Sequence, residues 1–411
     1  MEKNKINSIR AILLLIVVEF IVALSISLSP FASIIRIFGI LIAILLFVVY
    51  FKQFNKFNKE TIIFLILCLM FGLSVLPYGM KQNETLDLVS LFLSYVSAGW
   101  IGLTVAKDEN LKNKPLYAIY GSLIFFGGIS VFVTLFQYGF FYGFNESSVS
   151  SSSKVLILSF DIFSKGSRTS IALYGYLLSL LSSGIVVVLL KKANDIKDFK
   201  LKRLMLCSGI LGVVGLILVP YLLGIVVVLL SVGITALIIY FPKDKKKRTI
   251  IYCGIITFAL LAIILIAIKG RNIARVKTIL DVLCNSIKYP LGNQPLEVLN
   301  GTPNTRNIYF DALYQNGIPS FLLLIAITIL AIIIVNKYLK NSKDSKLIKY
   351  GILSYLIHYF IYVNLNYTQS IFVEDSVNLP LFMDPTLLIV FILIGYMITK
   401  SEIRNLEVKE G

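Results

Sequence analysis

Apolar runs of roughly 17–25 residues recur from one end of the chain to the other, each long enough to cross a bilayer as a helix. So many cannot be hidden inside a soluble domain. Hydrophobic residues make up 57% of the sequence and the mean hydropathy is +0.85, against an apolar share of about 45–50% in soluble proteins. No pattern of alternating segments of about ten residues dominates, which argues against a membrane β-barrel. The expected fold is therefore an all-α, polytopic integral membrane protein, a single membrane domain over 1–411 with about twelve transmembrane helices. The predicted spans are 11–29, 31–50, 61–78, 87–105, 115–138, 169–190, 204–219, 222–240, 249–269, 318–336, 350–367 and 384–400.

Two of these runs have more than one reading. The run Ala11–Leu28 follows a basic start (Lys3, Lys5, Arg10) but lacks a small-residue cleavage site, so it reads as a retained span. Leu204–Tyr240 is too long for one crossing, has Pro220 near its middle, and is basic on both flanks. Two crossings with a tight outer turn keep both flanks on the inner side.

Charge then orients the chain. With the N-terminus inside, the inner loops and tails hold 28 Lys and Arg and the outer segments 10, with Arg36 inside a span. Both termini are expected in the cytoplasm, in a multi-pass protein of the cell membrane. The net charge of +17 follows from these loops and implies no nucleic-acid partner. The four cysteines form no disulfide framework, no Walker A, HExxH or Cys/His cluster is present, and neither metal nor cofactor is expected.

The outer face has two substantial segments, 139–168 and 270–316, and the second is the anomaly. Its 47 residues carry Arg271, Arg275, Lys277, Lys288 and Arg306 on the side where cations should be scarce. Residues 272–288 have helical periodicity: Ile273, Val276, Ile279, Leu280, Leu283 and Ile287 share one face, and Arg271, Arg275, Thr278 and Asn285 the opposite one. Such a helix is suited to lying in the membrane interface, apolar face down. Tyr289-Pro290 ends it and Leu291-Gly292-Asn293 turns the chain. Arg271 and Arg275, one turn apart, are placed to hold a diphosphate in bidentate fashion, or to anchor the helix on anionic headgroups.

Within the bilayer, Tyr355, His358, Tyr359, Tyr362 and Asn366 form a polar stripe on one helical face, expected to turn inward. Tyr362 and Asn366, nearest the outer side, are candidates for contacts with sugar; hydrogen bonding between helices is the alternative. His358 lies near mid-membrane and reads as structural. Glu19 and Arg36 are expected to pair between the first two spans.

Taken in order, Arg271/Arg275, Pro290-Leu291-Gly292, Arg306-Asn307-Ile308-Tyr309 and Gly317-Ile318 resemble the motif series of the O-antigen polymerase and ligase superfamily, the Wzy-type enzymes of polysaccharide assembly. The resemblance covers roughly 150–340. Arg306 stands where the family often has His, and the family's Ser-Arg-Gly of an earlier span has no counterpart in Leu204–Tyr240. The resemblance implies a GT-C-like, metal-independent glycosyltransferase working at the outer face. It would join undecaprenyl-diphosphate-linked oligosaccharide repeat units into a capsular or exopolysaccharide, alongside a flippase and a chain-length regulator of the same pathway. The alternatives are a ligase of the same superfamily or a flippase for the lipid-linked oligosaccharide. The diphosphate leaving group needs preplaced cations, for which Arg168, Arg271, Arg275 and Lys277 are candidates. Arg306, Asp311 and Glu297 are the candidate catalytic residues, either carboxylate serving as base for the sugar hydroxyl, with Asp311 alternatively pairing with Arg306. Asn307 and Tyr309 join Tyr362 and Asn366 as candidate glycan contacts.

Overall fold

The computed structural model describes residues 59–74, 178–190, 198–218, 222–240, 271–292, 307–366 and 385–410, parts of 95–128, and single positions within 294–305. Predicted spans 11–29, 31–50 and 249–269, with Glu19 and Arg36, lie outside these residues, as do outer segments 139–168 and 368–383. The described residues are helical with turns and hold no strand.

The long helices follow the apolar runs. They are α1 (Lys59–Leu73), α2 (Leu178–Leu189), α3 (Phe199–Leu218), α4 (Leu222–Ile239), α5 (Arg271–Ser286), α6 (Ile308–Asn341), α7 (Lys346–Asn366) and α8 (Pro385–Glu410). Among the described residues, α3 and α6 are long and apolar enough to cross a membrane. The run around Pro220 is broken as expected, α3 ending at Leu218 and α4 starting at Leu222. Caps mark other boundaries. The Asp198 carboxylate accepts the Leu201 amide at the start of α3 and also the Tyr117 hydroxyl, at 2.6 Å.

Polar groups join the helices, and apolar side chains coat them. Ile66, Met70, Ile217, Leu229 and Ile332 are all exposed, while Ser179, Ser183, Ser208 and Ser354 are buried. Ser208 donates to the Leu181 carbonyl, Ser354 to that of Ser183, and Tyr120 shares a hydrogen bond with the Ser183 hydroxyl. Small residues let these backbones approach closely. Tyr355, His358, Tyr359 and Tyr362 are buried as the stripe predicts, in the main core of the bundle. His358 Nδ1 bonds the Ser354 carbonyl one turn back.

Two polar ties fix how α1 lies along α6. The Ser74 and Ser320 hydroxyls meet at 2.6 Å at one end, and Lys337 Nζ lies 2.7 Å from Glu60 Oε1 at the other, so the helices run antiparallel. The Lys337 ammonium, which donates to it, holds the Glu60 carboxyl below its usual value of 4.5. A carboxyl depressed in the folded state stabilises fully above its unfolded value and loses that contribution as pH falls through the folded value. Glu60→Gln is therefore expected to lower stability at pH 7 by less than about 1 kcal/mol, because the pair is partly exposed. In thermal unfolding the gap from the wild type should close as pH drops below 4.5.

Candidate outer-loop site

α5 docks by a face that the apolar wheel did not single out. Thr278, Val282 and Ser286 are buried, Val282 completely, and Val282 joins Val298, Leu313 and Tyr314 in a small core separate from the main one. The predicted apolar face points away from the protein: Leu280 is 54% and Ile287 82% exposed, and Leu283, Tyr289 and Leu291 continue this surface. The apolar face is thus turned outward, and the side of Thr278, which the wheel places opposite it, makes the contact with the protein.

Beyond α5 the chain makes a turn that is spliced into a break in α6. The Gly292 amide donates to the Tyr289 carbonyl, closing the turn expected at Pro290-Leu291-Gly292. α6 is kinked at Gly317, whose φ of 81° and ψ of −170° belong to a region essentially restricted to glycine. In an unbroken helix the Ile318 amide would reach the Tyr314 carbonyl. Here Ile318 N instead donates to Pro290 O at 2.9 Å, and Tyr314 O accepts from Gln294 N at 3.3 Å. The segment thus supplies a partner to each of the two groups that the lost hydrogen bond leaves open, as buried backbone groups require. Gln294 Nε2 also donates to the Val282 carbonyl, tying the turn back to α5.

This splice brings the Pro-x-Gly and Gly-Ile pieces of the sequence into direct contact. Gly292 also has positive φ, 82°. A Cβ on Gly292 would lie 2.1 Å from the Gln315 oxygen, and one on Gly317 2.2 Å from the Pro290 oxygen. Each glycine is required by the backbone of the other segment.

The entry to α6 is equally well held. Asn307 caps it, its Oδ1 accepting from the Tyr309 and Phe310 amides, while its Nδ2 reaches the carbonyl and the side-chain oxygen of Asn364, each at 3.2 Å. Asp311 is buried, and its Oδ1 accepts both the Thr305 amide at 2.6 Å and the Thr305 hydroxyl at 2.8 Å. Tyr309 is half-buried and its hydroxyl meets that of Thr328. These contacts make Asn307 and Asp311 builders of the loop, in addition to any contact with a substrate.

Of the other candidates, Lys277 is exposed on α5, and Tyr362 is buried in the main core, apart from the small core under the loop. Arg168, Glu297 and Arg306 lie outside the described residues, and Arg271, Arg275 and Asn366 are described as helical backbone only. Sequence reasoning missed Thr305, Gln294, Asn316 and Asn364. For Asn307, already a candidate, a capping signal was also present, since it immediately precedes an apolar helix. Asn364 lies off the polar stripe of its helix, and nothing in its spacing pointed to Asn307. No protein-family model matches the chain, and no curated protein matches it, so the roles of these residues rest on the chain's own chemistry.

Proposed function

We propose that the chain is a multi-pass enzyme of the cell membrane that polymerises undecaprenyl-diphosphate-linked oligosaccharide repeat units into a capsular or exopolysaccharide. The observation that carries this reading is the splice of Pro290–Gly292 into the Gly317 kink. Two of the motif pieces that prompted the family resemblance are structurally interdependent.

The membrane topology draws support from the ties between helices. Glu60 and Lys337 are both predicted to be on the inner side, as are Tyr117 and Asp198; Ser74 and Ser320 are both predicted near the outer side, as are Asn307 and Asn364. Each tie joins positions of equal predicted depth, which fits spans 3, 10 and 11 crossing with alternating direction and both termini in the cytoplasm.

In the proposed reaction the donor's diphosphate lies among Arg168, Arg271, Arg275, Lys277 and Arg306, whose charges meet the charge that grows as the glycosidic bond breaks. The acceptor hydroxyl attacks the anomeric carbon and yields its proton to a carboxylate. Glu297 is the better candidate base, because the Oδ1 of Asp311 is already engaged by Thr305. The exposed apolar surface of α5 sits in the bilayer interface and holds the cationic segment at headgroup depth.

The test is reconstitution of the purified chain in vesicles with the lipid-linked repeat unit that accumulates in host cells deleted for it. A ladder of glycan multiples, unaffected by chelators, is the expected result. Transfer to a different acceptor without a ladder would establish a ligase instead, and protected transbilayer movement of intact donor a flippase.

A further inference from the structure

Asn316 and Gln294 are buried at the splice, 2% and 4% exposed, and their side chains leave hydrogen-bonding atoms without partners: both Oδ1 and Nδ2 of Asn316, and Oε1 of Gln294. They belong to one small structure. Gln294 N is bonded to Tyr314 O two residues before Asn316, and a Cβ on Gly292 would lie 2.6 Å from the backbone nitrogen of Asn316. A buried amide with neither its donor nor its acceptor satisfied is uncommon, because it forfeits its bonds to water and regains nothing. An apolar side chain of the same size would serve packing better, so packing does not account for Asn316.

The chemistry of the open atoms selects a ligand class. Between them the two side chains leave two carbonyl oxygens and one amide group open, which only a partner that both donates and accepts can satisfy in full. A diphosphate only accepts, and would face repulsion from the oxygens. A sugar hydroxyl does both, and a carboxamide can bond two neighbouring hydroxyls of one ring. We propose that Asn316, assisted by Gln294, is a glycan-recognition site for the lipid-linked oligosaccharide, separate from the arginines that hold its diphosphate. Both amides are enclosed, so engagement includes a local opening around them. This assignment rests on the polymerase reading, whose substrate it divides into a charged part and a hydroxyl part.

The experiment measures binding of two lipids to the full chain in nanodiscs: bare undecaprenyl diphosphate, and the oligosaccharide-bearing form purified from host cells deleted for the chain. Asn316→Leu and Asn316→Ala should each weaken the oligosaccharide form about tenfold or more, the effect of removing polar recognition of a hydroxyl, and leave the bare lipid unchanged. Asn316→Leu should melt at or above the wild-type temperature, since it removes unsatisfied polar atoms. Equal binding of the oligosaccharide lipid by wild type and both variants would overturn the assignment. A lowered melting temperature for Asn316→Leu, with the preference for the oligosaccharide lipid retained, would also overturn it, in favour of a structural water. Failure of the wild-type chain to bind either lipid would instead remove the polymerase reading on which the assignment stands.

Discussion

Gly317→Ala should yield a protein that melts well below the wild type and forms no detectable polymer. At φ 81° and ψ −170° any side chain costs about 1–3 kcal/mol of backbone strain. The new methyl would also lie 2.2 Å from Pro290 O and 2.5 Å from Gly292 N. Both are backbone atoms, so the contact is relieved only by moving the turn. That movement breaks the bond from Ile318 N to Pro290 O, and each buried group left unpaired costs about 1–3 kcal/mol. A total of about 4 kcal/mol places the substitution among the severe ones. Gly292→Ala breaks the same joint from the other side and should lose about as much. The double variant should lose much less than the two losses added together, because neighbouring changes that destroy one contact are not additive. Gly233→Ala, at a position with nothing within 4 Å of the added carbon, is the control and should be close to neutral. Thermal unfolding in detergent, read beside polymer formation, checks all four variants. A Gly317→Ala protein with wild-type melting and activity would mean that the turn does not dock on the kink.

The contrast between these glycines indicates what a sequence can announce. Gly317 was legible as a boundary because Pro319 follows two residues later, and proline cannot continue a helix without loss of a hydrogen bond. Pro220 was legible for the same reason, and α3 and α4 divide around it. What neither position disclosed was its partner. That the Pro290 turn fills the Gly317 break is a contact between segments well separated in sequence, decided by which backbone groups each leaves unpaired.

The orientation of α5 illustrates a different limit. In a soluble protein its most apolar arc would pack inward, and the wheel identified that arc correctly as Ile279, Leu280, Leu283 and Ile287. In the proposed interfacial setting the apolar arc is left for lipid, and smaller or semipolar side chains such as Thr278 and Ser286 make the protein contact. Periodicity therefore located the helix and its two faces, and the expectation of an interfacial helix chose the outward face, while the docking contacts of Val282 with Val298, Leu313 and Tyr314 were not legible. The polar stripe of α7 was read correctly as inward for the complementary reason: hydroxyls and imidazole have no partners in lipid. Asp311 was harder. Base, partner of Arg306, and anchor of Thr305 all fit its spacing, and only the path of the loop brings the Thr305 amide to it.

Removing the Arg306 guanidinium should slow polymerisation by about 10²–10³ while leaving the fold intact. Both chain neighbours of this residue are anchored, Thr305 by Asp311 and Asn307 by its capping bonds and by Asn364. Fixed flanks are what preorganised stabilisation of a leaving group requires, since a donor that must be ordered during the reaction contributes less. Loss of one such donor typically costs about 10²–10³ in rate, and Arg306→Ala should fall in that range with its melting temperature near the wild type. Arg306→Lys keeps the charge but lacks the planar fork, so it should recover only part of the loss. Asp311→Asn separates the two roles of the carboxylate. As an anchor it keeps an oxygen for Thr305 and retains much of the activity; as the base it cannot accept the proton and behaves like Arg306→Ala. Single-turnover assays with saturating lipid-linked donor distinguish these outcomes from weakened binding. A full ladder from Arg306→Ala at the wild-type rate would exclude this arginine from the chemistry and shift the catalytic charge to Arg271 and Arg275.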